Sequence, residues 1–134
     1  MNLRTLALFA ALSILGTLAV QAQDAPPPLP VPEKFDTYYL VLYENGPKHT
    51  EEMTPQIREL IGRHIQYQLR LKADGKSLAA GPVDSGRDGL LGITILRAAS
   101  PEEARKLAEG DPGVQSGRMA VKVYPWNVPA GQLQ

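Results

Sequence analysis

The chain has 134 residues, with 14 basic and 14 acidic side chains, two histidines and no cysteine. That balance offers no basic face for a nucleic-acid partner and no polybasic run for an anionic membrane surface. The lack of cysteine rules out disulfides and a lipid-modified cysteine anchor, so packing has to supply the stability.

The chain opens with one positive side chain, Arg4, followed by an uncharged apolar run from Leu6 to Val20 and then "VQAQD". A basic start, an apolar middle and small or permissive residues at Val20 and Ala22 describe a secretory signal peptide over residues 1–22. The run is short for a membrane span, which needs roughly 20 apolar residues. The expectation is an exported protein, periplasmic or secreted, with no membrane attachment after cleavage. Residues 23–34 follow as a spacer with five prolines between Pro26 and Pro32. Such density favours an extended polyproline-type segment and cannot build a helix.

One domain is expected over residues 35–128, with 129–134 as a tail. "FDTYYLVLYE" alternates and is rich in aromatic and branched residues, so it reads as a strand with Tyr39, Val41 and Tyr43 on one side. Thr54-Pro55 supplies a helix cap and a first-turn proline. Ile57, Leu60, Ile61, Ile65, Gln68 and Leu69 then recur at helical spacing until Gly75 ends the helix. "KSLAAGPV" reads as a short strand, "DSGRDG" as a loop and "LLGITILR" as a central strand. Ser100-Pro101-Glu102-Glu103 is a capping box that starts a second helix, which stops at "GDPG". "GRMAVKVYPW" is the last strand, with Trp126 sealing its end, before "NVPAGQLQ" trails off.

Strand, helix, strand, strand, helix, strand is the ferredoxin-like βαββαβ order. It predicts an α+β fold, a four-stranded antiparallel sheet with two helices on one face. Both sides of the first and third strands are apolar or aromatic, whereas a sheet with one face in water would alternate apolar with polar residues. The uncovered face is therefore expected to pack sheet-to-sheet against a second copy, giving a homodimer.

One residue breaks the apolar stripe of the first helix. At about 100° per residue, His64 falls in the middle of the arc of Leu60, Ile61, Ile65 and Gln68, and looks toward the sheet or its edge. A buried imidazole needs a partner for its N–H, or leaves it unsatisfied at a cost of roughly 1–3 kcal/mol. A backbone carbonyl would make His64 a core histidine; a carboxylate and an open pocket would make it half of an acid–base site. Asp111, in "EGDPG", is the candidate carboxylate, since the ends of two helices lying side by side can approach each other. At the exit of the second helix it opposes the macrodipole, which suggests some other use. Capping the turn before Pro112 is the alternative role.

Other constellations are weaker. Ser85 lacks the spacing of a nucleophile elbow and reads as a turn serine. His49, Glu52 and His64 have no paired ligand spacing, so neither a metal nor any other cofactor is expected. Gly86, Gly89 and Gly92 open no helix and so form no phosphate loop. Tyr39, Tyr67 and Trp126 could line an aromatic pocket or simply pack.

"RHIQYQLRLKADGKSLAAGPV", the "DG" at 88–89 with Gly92, "SPEEARKLAEGDPG" and "VYPW" together resemble the YciI-like family over almost all of residues 36–127. The resemblance implies a ferredoxin-like fold of the dimeric α/β-barrel type and a catalytic or binding pair that falls on His64 and Asp111. It also implies that the reaction is open: one branch removes chloride from a chlorinated hydroxymuconate, and the wider superfamily holds muconolactone isomerases and small monooxygenases. Many members carry an arginine three residues before the histidine; here that place is Ile61, with arginines at Arg58 and Arg63. The function expected is acid–base catalysis of the lyase, isomerase or hydrolase type on an unknown small carboxylated or aromatic ligand. The alternative is a non-catalytic binding or assembly domain in which the pair is structural.

Overall fold

The computed structural model describes residues 25–86 and 88–133, so the expected signal peptide at 1–22 lies outside them. Residues 25–30, taken by themselves, are exposed and carry neither helix nor strand. Among the described residues no helix is long and apolar enough to cross a membrane.

Four strands, β1 (Phe35–Asn45), β2 (Ser77–Pro82), β3 (Leu90–Leu96) and β4 (Met119–Pro129), form one sheet in the order β2-β3-β1-β4. Every neighbouring pair is antiparallel. With helices α1 (Pro55–Ala73) and α2 (Pro101–Glu109) between them, this is the ferredoxin-like α+β architecture. Both helices start where their caps predict. Thr54 Oγ1 accepts from the Ile57 N–H at 3.3 Å and Ser100 Oγ from the Glu103 N–H at 3.1 Å, each ahead of a first-turn proline. Glu103 reaches back one residue beyond the cap and accepts from the Ala99 N–H at 2.7 Å. Both that bond and the Lys76 ammonium, at 3.0 Å, hold its carboxyl below the usual carboxylate range.

The helix-covered face contributes Tyr39, Val41 and Tyr43 from β1, Leu96 from β3 and Met119 from β4 to a core with Leu71, Ala104 and Ala108 of the helices. The two alanines, one helical turn apart and fully buried, let α2 lie close to the sheet. On the opposite face the register aligns Leu40 with Ile95 and Tyr124, Leu42 with Ile93, and Tyr38 with Trp126.

Three expectations need correction. β4 does not stop at Trp126: Asn127, Val128 and Pro129 pair with Thr37, Asp36 and Phe35, so residue 129 belongs to the sheet. Trp126 therefore seals nothing; it sits inside the strand and is 39% exposed. "GDPG" is more than a stop, because Pro112–Gln115 makes a further turn of helix, α3.

Candidate functional site

The sequence stripe of α1 placed Ile65 and Leu69 in the core, but they are 49% and 57% exposed, while Gln68 and Leu71 are buried. The helix is turned so that two polar side chains one turn apart, His64 and Gln68, meet the sheet and α3. Ile65 and Leu69 instead line a cleft of about 710 Å³ between α1 and strands β2 and β3.

Asp111 is completely buried. It is not the unfavourable carboxylate at the end of α2 that the sequence suggested, because Gly110 caps α2 and Asp111 starts α3. Its two oxygens do different things. Oδ1 accepts from the Gly113 N–H at 2.8 Å, which is the capping role. Oδ2 lies 2.7 Å from His64 Nδ1 and accepts from Gln68 Nε2 at 2.8 Å. The pairing and capping readings of this residue thus coexist, one on each oxygen.

Gln68 and Gly113 are N–H donors to the carboxylate, and with Asp111 as the acceptor toward His64 too, the bond calls for the ring proton on Nδ1. Among the described residues Nε2 has no protein partner, and its ring, 20% exposed, lines the cleft. Both amide protons of Gln68 are used, since Nε2 also donates to Tyr43 Oη at 2.9 Å, and Oε1 accepts from Thr94 Oγ1 at 2.9 Å. Such a network fixes side chains that could otherwise rotate. The Tyr43 ring meets the imidazole edge-on, with centroids 5.5 Å apart. Burial above all, and then the Asp111 charge, push the Tyr43 hydroxyl well above the usual tyrosine range, and the same two causes raise Tyr67. Tyr43 therefore stays neutral beside the pair.

The remaining candidates are dispersed. Among the described residues His49, Glu52 and His64 form no three-ligand cluster; His49 instead lies 3.6 Å from the exposed Glu51. Ser85 donates to the Leu90 carbonyl at 2.6 Å, a turn role. Tyr39 is in the core, Tyr67 donates to the Leu107 carbonyl, and Trp126 is on the open sheet face, so the three share no pocket. Sequence reasoning passed over Tyr43, Gln68, Thr94 and Arg118, all on the cleft. Gln68 could have been found, since it stands four residues after His64 on the same helical face.

A family model for the YCII-related domain matches residues 37–127. No curated protein gives a significant match. A similar solved structure is that of 5-chloro-2-hydroxyhydroquinone dehydrochlorinase from Burkholderia phenoliruptrix AC1100, in complex with 2,5-dihydroxybenzoquinone. It is 26% identical over 66% of this chain and 92% of the other, with a TM-score of 0.48. On the family match, which spans both long helices and all of the sheet but its last two residue pairs, the chain belongs to the YCII-related family.

Proposed function

We propose that this protein is a small acid–base enzyme of the lyase, isomerase or hydrolase type, with His64 as the proton-moving group and Asp111 as its support. The observation that carries this reading is the 2.7 Å contact between His64 Nδ1 and the buried Asp111 carboxylate. With Nδ1–H committed to Asp111, the lone pair of neutral His64 is on Nε2, on a ring that lines the cleft. When Nε2 takes a proton, the carboxylate at Nδ1 stabilises the imidazolium and keeps the ring oriented, as in other acid–base pairs. Gln68 and Tyr43 hold the carboxylate and the ring in place without exchanging protons themselves.

The test has two parts. Long-range ¹H–¹⁵N spectra of the purified protein should show His64 as the Nδ1–H tautomer, and Asp111→Ala should abolish that preference. A wild-type ring in the Nε2–H form would point its donor at the cleft and sink the reading. In a screen of small carboxylated and aromatic compounds, any turnover found should drop about a hundredfold or more in His64→Gln.

We propose also that two copies associate through their open sheet faces. Leu40, Leu42, Ile93, Ile95, Tyr124 and Trp126 make that face apolar in a way that suits burial rather than water. Leu40→Glu is expected to convert a dimer to monomer in light scattering after gel filtration. A wild-type protein that elutes as a monomer at every concentration removes the proposal.

A further inference from the structure

Three buried side-chain polar atoms have no hydrogen-bond partner among the described residues: His49 Nδ1, Ser77 Oγ and Arg118 Nη1. All three belong to residues that line the same cleft as His64. Unsatisfied buried polar groups are rare, and each needs an explanation. Ser77 pairs with Leu96, at the far end of the sheet from Arg118, but His49 and Arg118 lie at one end of the cleft, and a polar ligand there explains both.

Arg118 is the most telling of them. Its residue is 7% exposed, and no acidic side chain pairs with it among the described residues. Burying an unpaired guanidinium is costly, and proteins rarely keep one without a use. The backbone explains how it comes to be there. The Gly46 N–H donates to the Arg118 carbonyl at 2.8 Å and the Lys48 N–H to that of Gly117 at 2.8 Å. These bonds lay the loop after β1 along the entry to β4, which brings His49 and Arg118 to the same end of the cleft. Beyond them the walls are apolar, with Ile61, Ile65 and Leu69 from α1 and Leu91 from β3.

We infer that Arg118, with His49 beside it, is the anchor for a carboxylate group on a ligand whose apolar body lies along α1. A planar guanidinium matches the two oxygens of a carboxylate. Among the described residues that line the cleft the one lysine, Lys72, donates to the Leu78 carbonyl at 2.6 Å, and Lys48, beside Gly117, is not part of the lining, so the single guanidinium suits a single negative charge better than a phosphate dianion. The inference rests on the reading of the cleft as a substrate site, and it narrows the substrate to a small carboxylic acid with an aromatic or branched body. The anchored acid would present its reacting hydrogen to His64 Nε2.

The test is an NMR titration of the purified protein with benzoate and with its neutral isostere benzamide. Wild type is expected to bind benzoate saturably, with amide shifts at Gly46 and Arg118, and to bind benzamide about tenfold more weakly or worse. Arg118→Met should weaken benzoate about tenfold or more and leave benzamide unchanged. Its melting temperature should stay at or above that of wild type, because an unpaired buried charge has been removed. Arg118→Lys, which keeps the charge but loses the fork, should fall between them. Equal affinity for the two probes, no saturable benzoate binding by wild type, or full benzoate affinity in Arg118→Met would overturn the assignment. Inorganic phosphate binding more tightly than benzoate would overturn the carboxylate assignment. His64→Gln separates this from the acid–base reading: it should keep benzoate affinity, so loss of the anchor and loss of the base are read in different variants.

Discussion

Asp111→Ala is expected to destabilise the protein by about 3–5 kcal/mol, the range for removing one member of a buried, hydrogen-bonded charged group. The reason lies in what remains. The His64 Nδ1–H, a Gln68 amide proton and the Gly113 N–H all lose their acceptor at once, around a carboxylate that is itself fully buried. Each abandoned buried donor costs on the order of 1–3 kcal/mol. The turn Pro112–Gln115 also loses its cap, and it is this turn that packs against α1. Asp111→Asn is the informative companion, because its carbonyl oxygen can still serve one or two of the donors, and its loss should be near half as large. Urea unfolding monitored by circular dichroism gives both values. A loss in Asp111→Ala below about 1 kcal/mol, the worth of one ordinary hydrogen bond, would mean that the three donors find other partners and that the carboxylate does not organise the site.

The second large effect is expected from Gly46→Ala, in the loop after β1. A Cβ at residue 46 would run into the Gly117 carbonyl oxygen and into the Arg118 and Met119 backbone, each closer than real Cβ contacts come. None of these is the flexible end of a side chain, so the strain cannot be relieved by a rotamer change. The Gly46 N–H to Arg118 bond must lengthen or break, with a cost of about 3 kcal/mol, at the upper end for overpacked sites. The same displacement moves Arg118 and the Met119 side chain, so benzoate affinity should fall together with stability. Thermal unfolding and the benzoate titration, on one protein sample, read the two effects. An alanine variant with wild-type melting temperature would show that the two segments can separate freely.

Much of the fold was legible because its signals are local. The alternation of β1, the Thr54-Pro55 and Ser100-Pro101 caps and the glycine after α1 each act within a few residues, and the order of elements then allows few topologies. What was not legible depends on neighbours. Pro125 and Pro129 argue against a strand at the end of the chain, yet β4 continues through them, because it is an edge strand and can tolerate missing N–H donors. The rotation of α1 could not be read from its apolar stripe, since Ile65 and Leu69 line the cleft rather than the core. The alternation of β4 assigns Arg118 to the side of Ala120 and Lys122, away from the helices. Gly117, with φ +80°, turns the chain just before it, and parity does not extend across such a turn. The closeness of His64 and Asp111, 47 positions apart in sequence, rests on α3, a single turn whose Asp-Pro start resembles any loop.

The unbroken register between β1 and β4 bears on the order in which the chain must be written. Phe35 faces Pro129, and the Ala130 N–H donates to the Lys34 carbonyl at 2.9 Å. The two ends of the folded unit are thus about one strand spacing apart, roughly 5 Å, and a few glycines would join them. The chain could then begin at β3 and end at β2, opened in the connection between them, with every strand keeping its neighbours. The bond between His64 and Asp111 would be untouched, because both lie on the stretches that such a circular permutation leaves whole.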